Sequence, residues 1–297
     1  MTEIGIYETG ERVSLPSSWD EMTPEQVQFV FRTYGECILR GGSPLEFNVR
    51  VLCHLLGLRF SLRTALVESL AGDEATRLDE NLAMLCDRCL GFLLDVEQET
   101  LQCRLTFDSV TNPLPMVKSG RFRLYGPSDL LQDLTFGEFR HAAVAMNAFL
   151  HSGRVADLDE CIVFLYRRRC SQPNRAGRRV IAVDSSNIER ETMLVARIEP
   201  WQKNLILLWF ASCLKFLQTQ DIVINGETVE LGRLFAGEGD EKGGYSFGWN
   251  DLVVQIAKDQ TIGNIERVDE EPLFSILGIM WHNFKEQKRY EAISKTH

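Results

Sequence analysis

The chain has 297 residues, 44 % of them hydrophobic, which is apolar content for one large core or two modest ones. Lys and Arg number 32 against 42 Asp and Glu, a formal charge of -10, and this disfavours nucleic acid as the main partner because a polyanion needs a positive face. The longest apolar run, Leu205 to Ala211, is far below the ~20 residues of a membrane span. With no basic and apolar leader at Met1 to Ile6, a cytoplasmic chain with reduced cysteines is expected.

Thr23-Pro24-Glu25-Gln26 combines a capping threonine, a proline at the first helical position and a Gln that completes a capping box, so a helix is predicted from Pro24 to about Arg40. Gly41-Gly42 stops it. Ser43-Pro44-Leu45-Glu46 starts the next, with Phe47, Val51, Leu52 and Leu55 on one face until Gly57. Further helical patterns follow near Ser61 to Leu70 and Glu74 to Leu94. The period then changes. Leu101 to Phe107 and Phe122 to Tyr125 alternate as half-buried strands do, and they flank the loop Asn112-Pro113-Leu114-Pro115, which predicts that they pair.

Thr135-Phe136-Gly137-Glu138 repeats the capping box before a helix to about His151, and Leu158 to Arg168 continues after Ser152-Gly153. Arg169 to Arg190 is polar and basic and is predicted to be a loop, apart from the apolar run Val180 to Val183. Glu199-Pro200-Trp201 opens the most apolar helix, through Leu217, with apolar residues on nearly every face as in a central core helix. Asn225-Gly226 between Ile222-Val223-Ile224 and Thr228 to Leu231 signals a two-residue hairpin, and Ala236 to Gly244 an exposed loop. Leu252, Val253, Ile256 and Ala257 form one helical stripe. After a turn at Gly263, Glu270-Glu271-Pro272 starts a second with Leu273, Ile276, Leu277, Met280, Trp281 and Phe284. The fold class is mostly α (α+β): helical bundle halves with small antiparallel β elements. A helical unit over 1–98, a β element or linker over 99–133 and a helical domain over 134–297 are expected.

Reactive chemistry is sparse. Cys86-Asp87-Arg88-Cys89 is a lone C-x-x-C inside a helical pattern, without the second ligand pair of a structural zinc site, so no metal or cofactor is predicted. Glu138 and His141, three apart on one helix, could form an acid and base pair, although a surface contact explains that spacing as well. Six arginines, Arg167, Arg168, Arg169, Arg175, Arg178 and Arg179, fall within thirteen residues; such a run either balances neighbouring acids or docks an acidic partner. Trp249 and Trp281 are candidates for core packing or for anchoring a partner.

Leu15-Pro16-Ser17-Ser18-Trp19-Asp20-Glu21-Met22-Thr23, then Phe136-Gly137-Glu138-Phe139, Leu165-Tyr166-Arg167, Leu207-Leu208-Trp209-Phe210, Gly248-Trp249 and Ile256-Ala257 with Gly263 resemble uncharacterised proteins encoded among phage tail genes. The segment from Trp249 to Leu277 is similar to small helical tail-assembly chaperones. The resemblance implies a non-enzymatic protein of the host cytoplasm that holds another tail protein, a tape-measure or tube protein, through apolar helical faces. It leaves open a structural or adaptor role in the particle. The partner-binding candidates are Trp249, Trp281, Arg167, Arg168 and Arg169. The competing expectation is an enzyme with dispersed groups, Glu138, His141, Cys86 and the arginine segment among them.

Overall fold

The computed structural model describes residues 1–5, 12–57, 83–97, 102–224, 226–235 and 264–294. Within them the chain is mostly α, with two-stranded antiparallel sheets between helices, as the sequence pattern predicts. It divides into two compact units, Met1–Ser109 with Pro200–Leu205, and Val110–Glu199 with Ile206–His297. The division falls at Ser109–Val110 and not at the expected 98/99 and 133/134, and the Pro200–Thr219 helix contributes residues to both units. No helix among the described residues is long and apolar enough to cross a membrane.

In the first unit, Thr23 and Gln26 form the expected capping box, with Thr23 N donating to Gln26 Oε1 at 2.8 Å and Gln26 N to Thr23 Oγ1 at 3.3 Å. The helix they start ends at Cys37, three residues before the expected Arg40. Pro44–Leu55 forms as predicted. The expected helix at Ser61 to Leu70 lies outside the described residues. Of the one predicted over Glu74 to Leu94, residues 83–90 are helical and the end comes early. Leu94–Val96 is instead a strand, paired antiparallel with Cys103–Leu105. The core of this unit gathers around Trp19, 3 % exposed, whose ring meets Phe107 at 4.9 Å and Phe31 and Phe92 each at 5.9 Å.

The predicted pairing of the two middle strands is therefore corrected. Each strand pairs with its sequence neighbour, and Phe122–Tyr125 takes Met116–Ser119 in the register Val117 with Leu124 and Lys118 with Arg123. A short turn lets those two strands meet with little loop-closure cost, whereas the expected pair had to close a longer loop.

In the second unit the Phe136–Ser152 and Val155–Leu165 helices pack on each other. Ile206, Trp209, Phe210, Cys213, Leu214 and Leu217 of the long apolar helix are all buried, as an all-round apolar pattern requires. Trp209 donates Nε1–H to the Val110 carbonyl at 3.0 Å. The hairpin signal is realised by Ile222–Ile224 and Glu227–Val229, with Gly226 at φ 83. A helix over Ile188–Val195 was missed; it begins inside the polar stretch assigned to a loop and is only eight residues long.

The stripe predicted after Pro272 forms the Leu273–Ser294 helix and faces inward, with Leu273, Ile276, Leu277, Met280 and Trp281 all buried. The preceding stripe, with Trp249, lies outside the described residues. The two helix starts of this unit are stitched together: Phe136 N donates to the Glu271 carbonyl at 2.8 Å, and Leu273 N to the Leu134 carbonyl at 3.0 Å.

One close approach fixes a glycine. A Cβ on Gly126 would stand 2.5 Å from Tyr166 Cζ. That ring is fully buried and its hydroxyl donates to the Leu114 carbonyl at 2.8 Å, so it has no room to yield. Gly126→Ala is expected to cost about 1–3 kcal/mol by overpacking. Gly35→Ala, where the new carbon meets Trp201 Cβ at an ordinary 3.7 Å within a helix, is expected to be neutral or stabilising. Urea unfolding of the two variants checks both signs.

Candidate functional site

A polar cluster of the second unit that holds two buried arginines, Arg167 and Arg178, is built on Glu138. Thr135 caps the Phe136–Ser152 helix, and Glu138, at the third helical position, accepts the Thr135 amide on Oε2 at 3.2 Å. The Val155–Leu165 helix stops where Tyr166 turns extended, and Arg167 then runs antiparallel beside Phe122–Tyr125, exchanging backbone hydrogen bonds with Tyr125 at 2.8 and 3.2 Å. The extension continues through the bridge between Arg169 and Val180, the ordered piece of the predicted loop. A turn with Asn174 N donating to the Arg178 carbonyl, 2.8 Å, brings Arg178 back onto the cluster.

Glu138 Oε1 thus meets Arg167 Nη2 and accepts from Asn174 Nδ2 at 3.1 Å, while Oε2 lies 3.7 Å from Arg178 Nη1. The Arg167 and Arg178 side chains are 2 % and 4 % exposed, so two buried guanidinium groups share one carboxylate, itself 11 % exposed. Asp133, about one-third exposed, stands 3.9 Å from Arg178 Nε. Arg178 Nη2 donates to the carbonyls of Tyr125 at 2.7 Å and Leu165 at 2.5 Å, and Arg167 Nη1 to that of Ile181 at 3.2 Å. The contacts to Glu138 and Asp133 hold by charge more than by alignment: Arg167 Nε and Nη2 and Arg178 Nε and Nη1 find no acceptor in hydrogen-bonding geometry among the described residues. Burial, reinforced by the charge of Arg167, pulls the Arg178 guanidinium down to about 10 against the opposing pull of Glu138 and Asp133.

Arg168, Arg169 and Arg175 are held in turn, while Arg179 is exposed. Arg168 donates Nε to Glu191 Oε2 at 3.1 Å and Nη2 to Oε1 at 2.5 Å. Arg175 reaches Glu271 and lies 3.4 Å from Glu270, and the Arg169 guanidinium carbon sits 4.0 Å from the Tyr125 ring centre. The run is therefore mostly a set of internal latches. Arg167, expected to face a partner, is buried; Arg168 is paired; Arg169 is exposed. Trp281 is buried at 6 % exposure and stacks on Phe284 at 5.7 Å, a core position and not a surface anchor.

Glu138 and His141 are not brought together as an acid and base pair. Both Glu138 oxygens are occupied by the cap, Asn174 and the arginines. His141, open to solvent on one side, stacks on Phe164 at 4.9 Å; desolvation first, then the charge of Arg140, holds its imidazole below its ordinary value despite Asp269. Cys86 and Cys89 belong to the first unit, both buried, and burial pushes the Cys86 thiol up to about 11, away from thiolate chemistry. No group of three or more His, Cys, Asp or Glu among the described residues is placed to hold a metal ion.

No family model, curated protein or solved structure matches this chain. Of the acids that complete the latches, Glu191 and Asp269 were not singled out in the sequence, where each looks like any other helical carboxylate, and Glu271 was read only as an acid at a helix start. Asp269 pairs with Arg140 at 2.7 Å across 129 residues, a separation that no local pattern signals.

Glu191 gives a pH-dependent test. Burial alone raises its carboxyl, but hydrogen bonds and charge from Arg168, then Arg190, outweigh that and hold it below its ordinary 4.5. A carboxylate held low in the fold contributes stability above its unfolded pKa and loses it as pH falls through the folded one. Glu191→Gln, which leaves Arg168 unpaired, is expected to cost about 2–3 kcal/mol at neutral pH. The gap to wild type should narrow as pH falls below 4.5. Urea unfolding at neutral and acid pH checks this; an equal gap at both would assign the loss to packing.

Proposed function

We propose that this chain is a non-enzymatic protein of the host cytoplasm that binds another protein, as a phage tail-assembly chaperone or tail-associated protein. The observation that carries the non-catalytic half is the commitment of the candidate reactive groups: Glu138 is occupied at both oxygens, and Arg167, Arg168 and Arg178 are spent on internal contacts. A general base must be able to reach a substrate proton, and these side chains hold the unit's own elements together instead. The phage half rests on the resemblance of the short motifs from Leu15 to Gly263.

The burial of Trp281 moves the candidate contact surface along its helix. The last turns of Leu273–Ser294 carry Tyr290 and Ile293, 68 % and 51 % exposed and three residues apart on one face, a spacing that suits a helical partner. The test is co-purification of the tagged full chain with co-expressed tail tube or tape-measure protein. Wild type should retain one of them, and Tyr290→Ala/Ile293→Ala should lose it with an unchanged melting temperature. Failure of the folded wild type to retain either protein would overturn the proposal.

A further inference from the structure

Arg140, Arg154, Arg168, Arg175 and Arg190 of the second unit each have a carboxylate partner. Lys118, Arg121, Arg123, Arg169, Arg179, Arg197, Lys215 and Arg267 are exposed and have none among the described residues, although the chain carries ten more acids than Lys and Arg together. Four of these, Lys118, Arg121, Arg123 and Arg169, lie on or against one hairpin. Lys118 and Arg123 are direct cross-strand partners in Met116–Ser119 and Phe122–Tyr125, a like-charge juxtaposition that works against the hairpin. Arg121 lies at the turn between the strands, and Arg169 lies over Tyr125, two residues from Arg123.

From this placement we propose that the outer face of the Met116–Tyr125 hairpin docks an acidic segment of a partner protein, with Lys118, Arg121, Arg123 and Arg169 receiving its carboxylates. The assignment rests on the chain working through protein contacts, and it names the chemistry of one such contact. Charge complementarity fixes the sign of the occupant. The aromatic rings decide its class. Single-stranded nucleic acid needs free ring faces for base stacking, but Tyr125 already has Arg169 at 4.0 Å, and Phe122 has Arg121 at 5.1 Å and Arg168 at 5.7 Å. A guanidinium has N–H donors to spare beyond its ring contact, and its fork matches a carboxylate in bidentate fashion. The net charge of -10 repels a long polyanion, whereas a short acidic segment responds mainly to charges within a Debye length of about 8 Å.

The probe is a fluorescein-labelled peptide of alternating glutamate and serine, followed by anisotropy against the full chain, with labelled single-stranded DNA of equal length alongside. Wild type should bind the peptide saturably and more weakly as salt rises. Arg121→Glu/Arg123→Glu should weaken binding at least about tenfold, with Lys215→Glu, an exposed lysine of the Pro200–Thr219 helix, as the unaffected control. Arg121→Gln/Arg123→Gln repeats the test should charge reversal disturb folding. Absence of saturable peptide binding, equal loss in the Lys215 control, or tighter binding of the DNA would each overturn the assignment. Retention of a tail protein that survives hairpin charge reversal would overturn the docking face alone. Peptide binding at the hairpin with no tail protein retained would support the face and sink the tail assignment.

Discussion

Glu138→Gln is expected to destabilise the second unit by about 3–5 kcal/mol, because it removes the half-buried carboxylate that two buried guanidinium groups share. The substitution isolates charge. Gln has nearly the same volume and at the third helical position still closes a capping box, so the helix start survives. Thr135→Ala, which removes the other half of that box, should cost only about 1 kcal/mol. A third variant separates pairing from packing: in Glu138→Gln/Arg167→Met one of the two stranded charges is also gone, and part of the loss should return as a favourable coupling. Urea unfolding followed by tryptophan fluorescence and far-UV circular dichroism reads all three. A Glu138→Gln penalty no larger than that of Thr135→Ala would mean that the arginines are satisfied without the carboxylate.

The same residues show where sequence reasoning stops. The capping boxes at Thr23 and Thr135, the Gly226 hairpin and the all-round apolar helix from Pro200 were legible because each is local: the partners lie within a few residues and the chemistry names the geometry. The strand pairings were misjudged because alternation marks a strand without naming its partner, and Leu94–Val96 is too short to show any period. Glu138 was noticed for the wrong reason, as a possible base beside His141. Its true partners are Arg167 and Arg178, 29 and 40 positions further along the chain, and a charge run does not say which of its members turns inward. The Lys118, Arg121 and Arg123 face was invisible for the converse reason. Those cations are ordinary in composition and become notable only once the register puts Lys118 opposite Arg123 and Arg169 comes to lie over Tyr125.

Trp281→Ala is the substitution that most directly separates core from contact. A partner anchor removed from a surface lowers capture and leaves folding alone, since exposed sites away from special features shift stability by no more than about 0.5 kcal/mol. Trp281 instead sits at 6 % exposure on a helix face with Leu273, Ile276, Leu277 and Met280, stacked on Phe284. Its truncation should therefore cost about 3–5 kcal/mol through lost burial and the cavity left behind. Tyr290→Ala, nine residues further along the same helix and 68 % exposed, should change stability by less than about 0.5 kcal/mol. Thermal and urea unfolding measured beside co-purification separates the cases. Loss of capture in Trp281→Ala at wild-type stability would return that ring to the partner surface. Loss of capture only in proportion to unfolding places the contact elsewhere, with Tyr290 and Ile293 the residues whose removal should then abolish binding in a chain that still folds.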